Sequence, residues 1–170
     1  MELDEPGWHL LDDFFIAEAA DRAIPTVRRY VRVRGRLTYF LDTAEMGDWL
    51  GAQSATLLSA EREFHDRGAF WQLFGPNELM CVIPGFLRPP WLPEGLGESR
   101  TQISLMSRLL SHLSRQQLLD LSVFRCAYWD AEAAIKQARV DFARRSAARK
   151  PDDWASEMPG RFRQEPGPQW

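Results

Sequence analysis

Lysine is nearly missing from this 170-residue chain: Lys136 and Lys150 stand against 19 arginines. The skew matches codon usage in a GC-rich genome, so a bacterial source is the expectation and little is inferred from it about function. Cysteine is just as scarce. Cys81 and Cys126 form no CxxC pair and no disulfide framework, which points to a reducing cytoplasm. Long apolar runs are missing too. The longest uncharged stretch, Trp49 to Ala60, has 12 residues and includes Gln53, Ser54, Thr56 and Ser59, whereas a membrane-spanning helix needs about 20 mostly apolar residues. Glu2, Asp4 and Glu5 are acidic where a secretory leader would be basic.

The motifs of common chemistries are missing as well. There is no GxxxxGK[ST] phosphate loop, no GxSxG nucleophile elbow and no HExxH pair. Two cysteines and the scattered His9, His65 and His112 offer no four-ligand zinc spacing. No cofactor or metal is expected on these grounds.

What is present fits one globular domain. The chain is 45% apolar and 26% charged, enough for a single core without the bias of disordered or fibrous sequences. Residues 1–150 read as that domain and residues 151–170, with four prolines, as an extended tail, either disordered or pinned by Trp154, Phe162 and Trp170. The net charge of −3 is distributed in blocks. Residues 1–25 hold seven acids and one base, residues 26–41 hold five arginines and no acid, and residues 130–150 hold three acids and six bases. Such blocks serve either as recognition surfaces or as faces that attract one another within the fold.

Periodicity predicts a helix from Trp8 to Asp21, broken by Pro25. Thr26 to Asp42 then alternates, with Val31, Val33, Leu37, Tyr39 and Leu41 on one parity and Arg32, Arg34 and Arg36 on the other, which predicts strand with a turn or bulge at Gly35. A long central helix follows, with Met46, Trp49, Leu50, Leu57, Ala60 and Phe64 on its inner face and Gly68 as its stop. Ala69–Phe74 and Leu79–Ile83 flank Gly75-Pro76-Asn77-Glu78 as a hairpin. Pro84–Glu98 reads as an apolar loop, and Ser99–Leu113 as a helix burying Ile103, Leu105, Met106, Leu109, Leu110 and Leu113. Val123–Trp129 is too short to show a period. Asp130 caps a last helix with Ala131, Ala134, Ile135, Ala138 and Phe142 inside. The expected fold class is therefore α+β: an antiparallel sheet of about four strands packed by about four helices.

Several residues invite a chemical reading. Glu61 and His65, four apart on a helix, share a face but lack a third metal ligand, so an intrahelical pair is expected. Ser111 and His112 are sequence neighbours and do not face each other on a helix, a poor nucleophile pair. Gly95-Leu96-Gly97 precedes a helix start without the strand or third glycine of a dinucleotide site. The strip Ser104, Ser107, Ser111 and Ser114 reads as exposed filler. The arginine row is denser: Arg32, Arg34 and Arg36, on a strand, would point one way at intervals of about 6.5–7 Å and could grip carboxylates or phosphates. Trp91 and Trp170 lie outside regular structure, where a large aromatic folds back or anchors a partner.

These features predict a non-enzymatic protein-binding module, an inhibitor, immunity-type or adaptor protein that sequesters one protein partner. Arg32, Arg34, Arg36, Trp91 and Trp170 are the expected contact residues, with charge steering association and aromatics supplying affinity. Two alternatives remain. One is an enzyme acting on an anionic substrate with Glu18, Asp21 or His65 as acid–base groups. The other is a nucleic-acid-binding regulator using Arg28–Arg36, which the acidic pI of about 5.7 disfavours.

Overall fold

A computed structural model describes residues 6–148, with side chains from His9 onward. Among the described residues the chain forms eight helices and no strand: α1 (Pro6–Ala19), α2 (Ile24–Thr43), α3 (Gly47–Leu50), α4 (Ala52–Phe64), α5 (Ala69–Leu73), α6 (Pro76–Phe86), α7 (Leu96–Arg115) and α8 (Arg125–Ala148). The expected α+β fold and its antiparallel sheet are overturned, and this part of the chain is all-helical.

The largest correction concerns α2. Its alternation is coincidental, because Val31 and Tyr39, two members of the supposed inner face, are exposed. The buried residues are Tyr30, Val33, Leu37, Phe40 and Leu41, spaced by three, four, three and one, as one helical face requires. Tyr30 and Phe40 have the wrong parity for a strand. Pro25 sits in the first turn, where its missing N–H removes no helical bond.

The supposed hairpin is two helices meeting at a cap. Gly75 is the N-cap of α6 and Pro76 opens the helix. The Glu78 carboxylate accepts a hydrogen bond from the Gly75 N–H at 3.0 Å. Gly-Pro-Asn-Glu is thus a helix start rather than a strand reversal. The central helix is also split. Gly51 lies at φ 81°, outside helical geometry, and separates α3 from α4. After this break the register changes: Leu58 becomes the buried residue of α4, while Leu57 and Phe64 face outward.

α7 is the organising element. It packs against α2 on one side and α8 on the other, while α6 lies across both α7 and α8. Its six expected core residues, Ile103 to Leu113, are all buried. α8 starts earlier than expected, so Asp130 lies inside the helix instead of capping it; Ala131, Ile135 and Ala138 are buried as read. α1 covers α2 through Leu11, Phe14 and Phe15. An aromatic cluster closes the other end, with the Phe40 ring 5.3 Å from Phe86 and 5.0 Å from Trp91. No helix among the described residues is long and apolar enough to cross a membrane.

α3 reaches α6 through one close approach. The Trp49 indole lies against Gly85, where an added Cβ would overlap its ring carbons. Gly85→Ala should therefore destabilise the fold by about 1–3 kcal/mol through overpacking. Urea unfolding followed by circular dichroism checks this, and an unchanged midpoint would mean that Trp49 yields freely.

Candidate functional site

On a helix, successive residues rotate by about 100°, so Arg32, Arg34 and Arg36 do not form the expected row on one face. Arg32 and Arg36, one turn apart, converge on Glu98 of α7: Arg32 Nε donates to Oε1 and Arg36 Nη1 to Oε2, both at 2.6 Å. Arg36 Nε also donates to Gln102 Oε1 at 3.1 Å. Arg34 points the other way and pairs with Asp12 of α1 at 2.5 Å. The two hydrogen bonds and the positive charge, chiefly those of Arg36, hold the Glu98 carboxyl below the usual glutamate range.

Gln102 is fully buried and fully engaged. Its amide nitrogen donates to the Phe86 and Trp91 carbonyls at 2.9 and 3.1 Å, while its oxygen accepts from Arg36. The segment between α6 and α7 is thereby tied to α7, and Leu87 and Leu92 are buried with it. Trp91 is half-buried on this segment, its ring 5.0 Å from Phe40 and 5.8 Å from the exposed Tyr39. Trp170 lies outside the described residues.

The acid–base candidates are dispersed. Glu18 accepts from Arg108 Nη1, and Arg108 Nη2 donates to the Tyr30 hydroxyl at 2.9 Å. Asp21 occupies the α1–α2 turn at φ 58°. His65 Nδ1 lies 3.1 Å from Glu61 at the end of α4, the intrahelical pair that the spacing implied. His112 packs against Phe14, with ring centroids 5.5 Å apart. Among the described residues no group of three or more His, Cys, Asp or Glu side chains could hold a metal ion.

A cleft of 680 Å³ between α3, α6 and α8 holds Asp48, Cys81, Arg88 and Asp130. Burial, reinforced by the Glu78 carboxylate, pushes the Cys81 thiol up to about 11, so it stays protonated and is a poor nucleophile at neutral pH.

The outer face of the α1–α2 pair is different in character. Two adjoining grooves of 240 and 520 Å³ share Val31 and Arg34. Ile16, Val31 and Tyr39 are exposed here by 70%, 63% and 62%, far more than apolar side chains on a covered face. Gly35 makes a notch between Val31 and Tyr39, with no atom within 4 Å of where its Cβ would be. The Arg34–Asp12 pair crosses the middle, and Asp42 and Arg67 border the far end. Strand parity places Val31 and Tyr39 in the core, and their exposure overturns it. The helical spacing of Tyr30, Val33, Leu37 and Phe40 was the signal that would have set them outside. No family model, no curated protein and no solved structure matches the chain.

Two outcomes test this network. A carboxylate whose folded pKa lies below its unfolded value stabilises the fold above about pH 4.3, and this stabilisation is lost as the pH falls through the folded value. Glu98→Gln should lower stability by about 1 kcal/mol at neutral pH, since the pair is partly solvated, and should flatten the acid limb of a stability–pH curve. Gln102→Leu leaves two carbonyls without their donor and should cost at least about 2 kcal/mol. Hydrogen exchange should then accelerate at the amides of residues 87–95; unchanged protection there would locate the restraint elsewhere.

Proposed function

We propose that this chain is a non-enzymatic protein-binding module that holds one protein partner along the outer face of α1 and α2. The observation that carries the reading is the exposed strip Ile16, Val31 and Tyr39, grooved at Gly35 and crossed by a charged pair. Exposed large apolar side chains grouped on one face with a polar rim are the usual anatomy of a contact surface. Tyr39, its ring beside that of Trp91, which in turn packs on Phe40, is the aromatic anchor. Arg34, Arg67, Asp12 and Asp42 set the orientation of the partner and steer its approach. An inhibitor or adaptor fits this role, because either acts by occupying a surface and needs no reaction centre.

The alternative read from the arginine row, an enzyme acting on an anion with Glu18, Asp21 or His65 as acid–base groups, needs those guanidinium groups free. Arg32 and Arg36 are instead engaged by Glu98, Arg34 by Asp12, and Glu18 by Arg108. The arginines expected to touch a partner thus divide into two kinds. Arg34 borders the strip, whereas Arg32 and Arg36 act through the fold.

Tagged protein should recover a stoichiometric partner from its native host, and Val31→Asp/Tyr39→Asp should lose it while keeping the helical circular dichroism spectrum. Both residues are exposed, so the fold should tolerate the change. Equal recovery by both proteins would exclude this surface, and no partner at all would count against the reading itself.

A further inference from the structure

α8 is apolar on two opposite sides, and the described residues cover only one. Ala131, Ile135 and Ala138 are buried in the bundle. On the reverse side Trp129, Ala133, Lys136, Val140, Ala143 and Ala147 recur at intervals of four, three, four, three and four, all exposed; Trp129 is 58% and Val140 46% accessible. Cys126, three residues before Trp129 and also exposed, begins the same series. A strict alternation of three and four over 22 residues is the three-heptad seam of a helix made to lie against another helix.

The charges beside the seam name the occupant. Asp130 and Arg144 lie on one flank, Arg125, Glu132 and Arg139 on the other; apart from Arg125 at the helix start, the acids lie in the N-terminal half and the bases in the C-terminal half. When two such helices run antiparallel, each flank faces the same flank of the other, so Asp130 meets Arg144 and Glu132 meets Arg139 of the second copy. A parallel pair would set Arg125 beside Asp130 but Arg139 beside Arg144, leaving Glu132 without a base, so the antiparallel pair matches more charges. Size is complementary in the same arrangement, because Trp129 at one end falls opposite the small Ala143 and Ala147 at the other. Lys136, the single charge within the seam, lies near its middle and so beside the two-fold axis, where it approaches Lys136 of the second copy; this like-charge contact costs affinity, and the long stem lets each ammonium reach out to water. Within their own chain these flanks are lightly held: Arg139 reaches the Ser107 hydroxyl at 2.7 Å and Arg144 lies 3.9 Å from Asp141.

We propose that the occupant of this seam is a second copy of the chain, giving a two-fold dimer through antiparallel α8 helices. Such a contact is isologous and closes on itself. The proposal is independent of the α1–α2 docking surface.

Sedimentation of the full-length protein over a concentration series should show a dimer. Trp129→Glu/Val140→Glu should abolish it while preserving the helical spectrum. Orientation is read by mild oxidation of Ala147→Cys, which should join Cys126 to the introduced thiol of the other copy, whereas a Cys126–Cys126 link in the unaltered chain would overturn the antiparallel arrangement. If the double variant misfolds, charge reversal decides: Glu132→Arg should weaken dimerisation at least about tenfold, the loss of roughly 1.4 kcal/mol, and adding Arg139→Glu should restore it. A protein monomeric at every concentration, or a dimer indifferent to these changes, would overturn the proposal. So would a monomer that dimerises only after residues 149–170 are removed, since that segment would then be the occupant.

Discussion

One buried side chain sets the relation between the two halves of the bundle. Gln102 has no access to water, and a primary amide placed there without partners would cost several kcal/mol. It is satisfied only if three separate pieces of chain arrive together: the end of α6, the segment carrying Trp91, and Arg36 of α2. Glu98, one turn earlier on α7, then holds Arg36 in place by a second charged contact and takes Arg32 as well. A helix burying only leucines against α2 could slide or rotate at small cost. The amide admits one arrangement, which is why the apolar segment after α6 is anchored despite its prolines.

The charge blocks find their meaning in this arrangement. One pair joins the acidic segment before Pro25 to the arginines after it, Asp12 to Arg34 across α1 and α2; Glu18 instead meets Arg108 of α7, whose second nitrogen serves the Tyr30 hydroxyl, and Arg32 and Arg36 meet Glu98. Each of these contacts is partly solvated, so each is worth little alone. Together they specify which helix faces which. The surface left over also carries large apolar side chains, Ile16, Val31 and Tyr39 among them, which the charge blocks alone do not suggest.

The elements legible in the sequence are those whose periodicity had no competitor. α7 divides leucines from serines so sharply that all six expected core positions are buried; of the five inner positions expected for α8, Ala131, Ile135 and Ala138 are buried, and Ala134 and Phe142 are half-buried. α2 failed because two periods overlap in it. Leu37 and Val33 satisfy both, Val31 and Tyr39 satisfy only the strand, and Tyr30 and Phe40 only the helix; Gly35 and the β-branched valines tilted the choice. Gly75-Pro76 failed for another reason. Glycine and proline open helices as well as reverse strands, and the deciding residue was Glu78, three positions on, whose carboxylate returns to the cap. The arginine row dissolved with the strand that was to carry it. Of the expected contact residues, Arg34 and Trp91 lie beside the exposed strip, Arg32 and Arg36 face α7, and Trp170 falls outside the described residues.

The same distinction between one-sided and two-sided helices connects the remaining surfaces. α7 is central, and its apolar positions are covered by α2 and α8. α2 and α8 flank it, and each carries a second apolar set turned away from α7: Val31 and Tyr39 on the first, Trp129 and Val140 on the second. Keeping these four in water lowers solubility and contributes nothing to the core, so their cost is balanced only by contacts outside it. Because the two faces lie on opposite sides of α7, closing one leaves the other open. A dimer joined through α8 would carry two α2 faces pointing outward, and a partner with two copies of its own site would meet them with the gain in avidity that a fixed spacing provides. The order of events follows from the geometry: self-association through α8 neither requires nor blocks occupation of the α1–α2 grooves, so the two equilibria would add rather than compete.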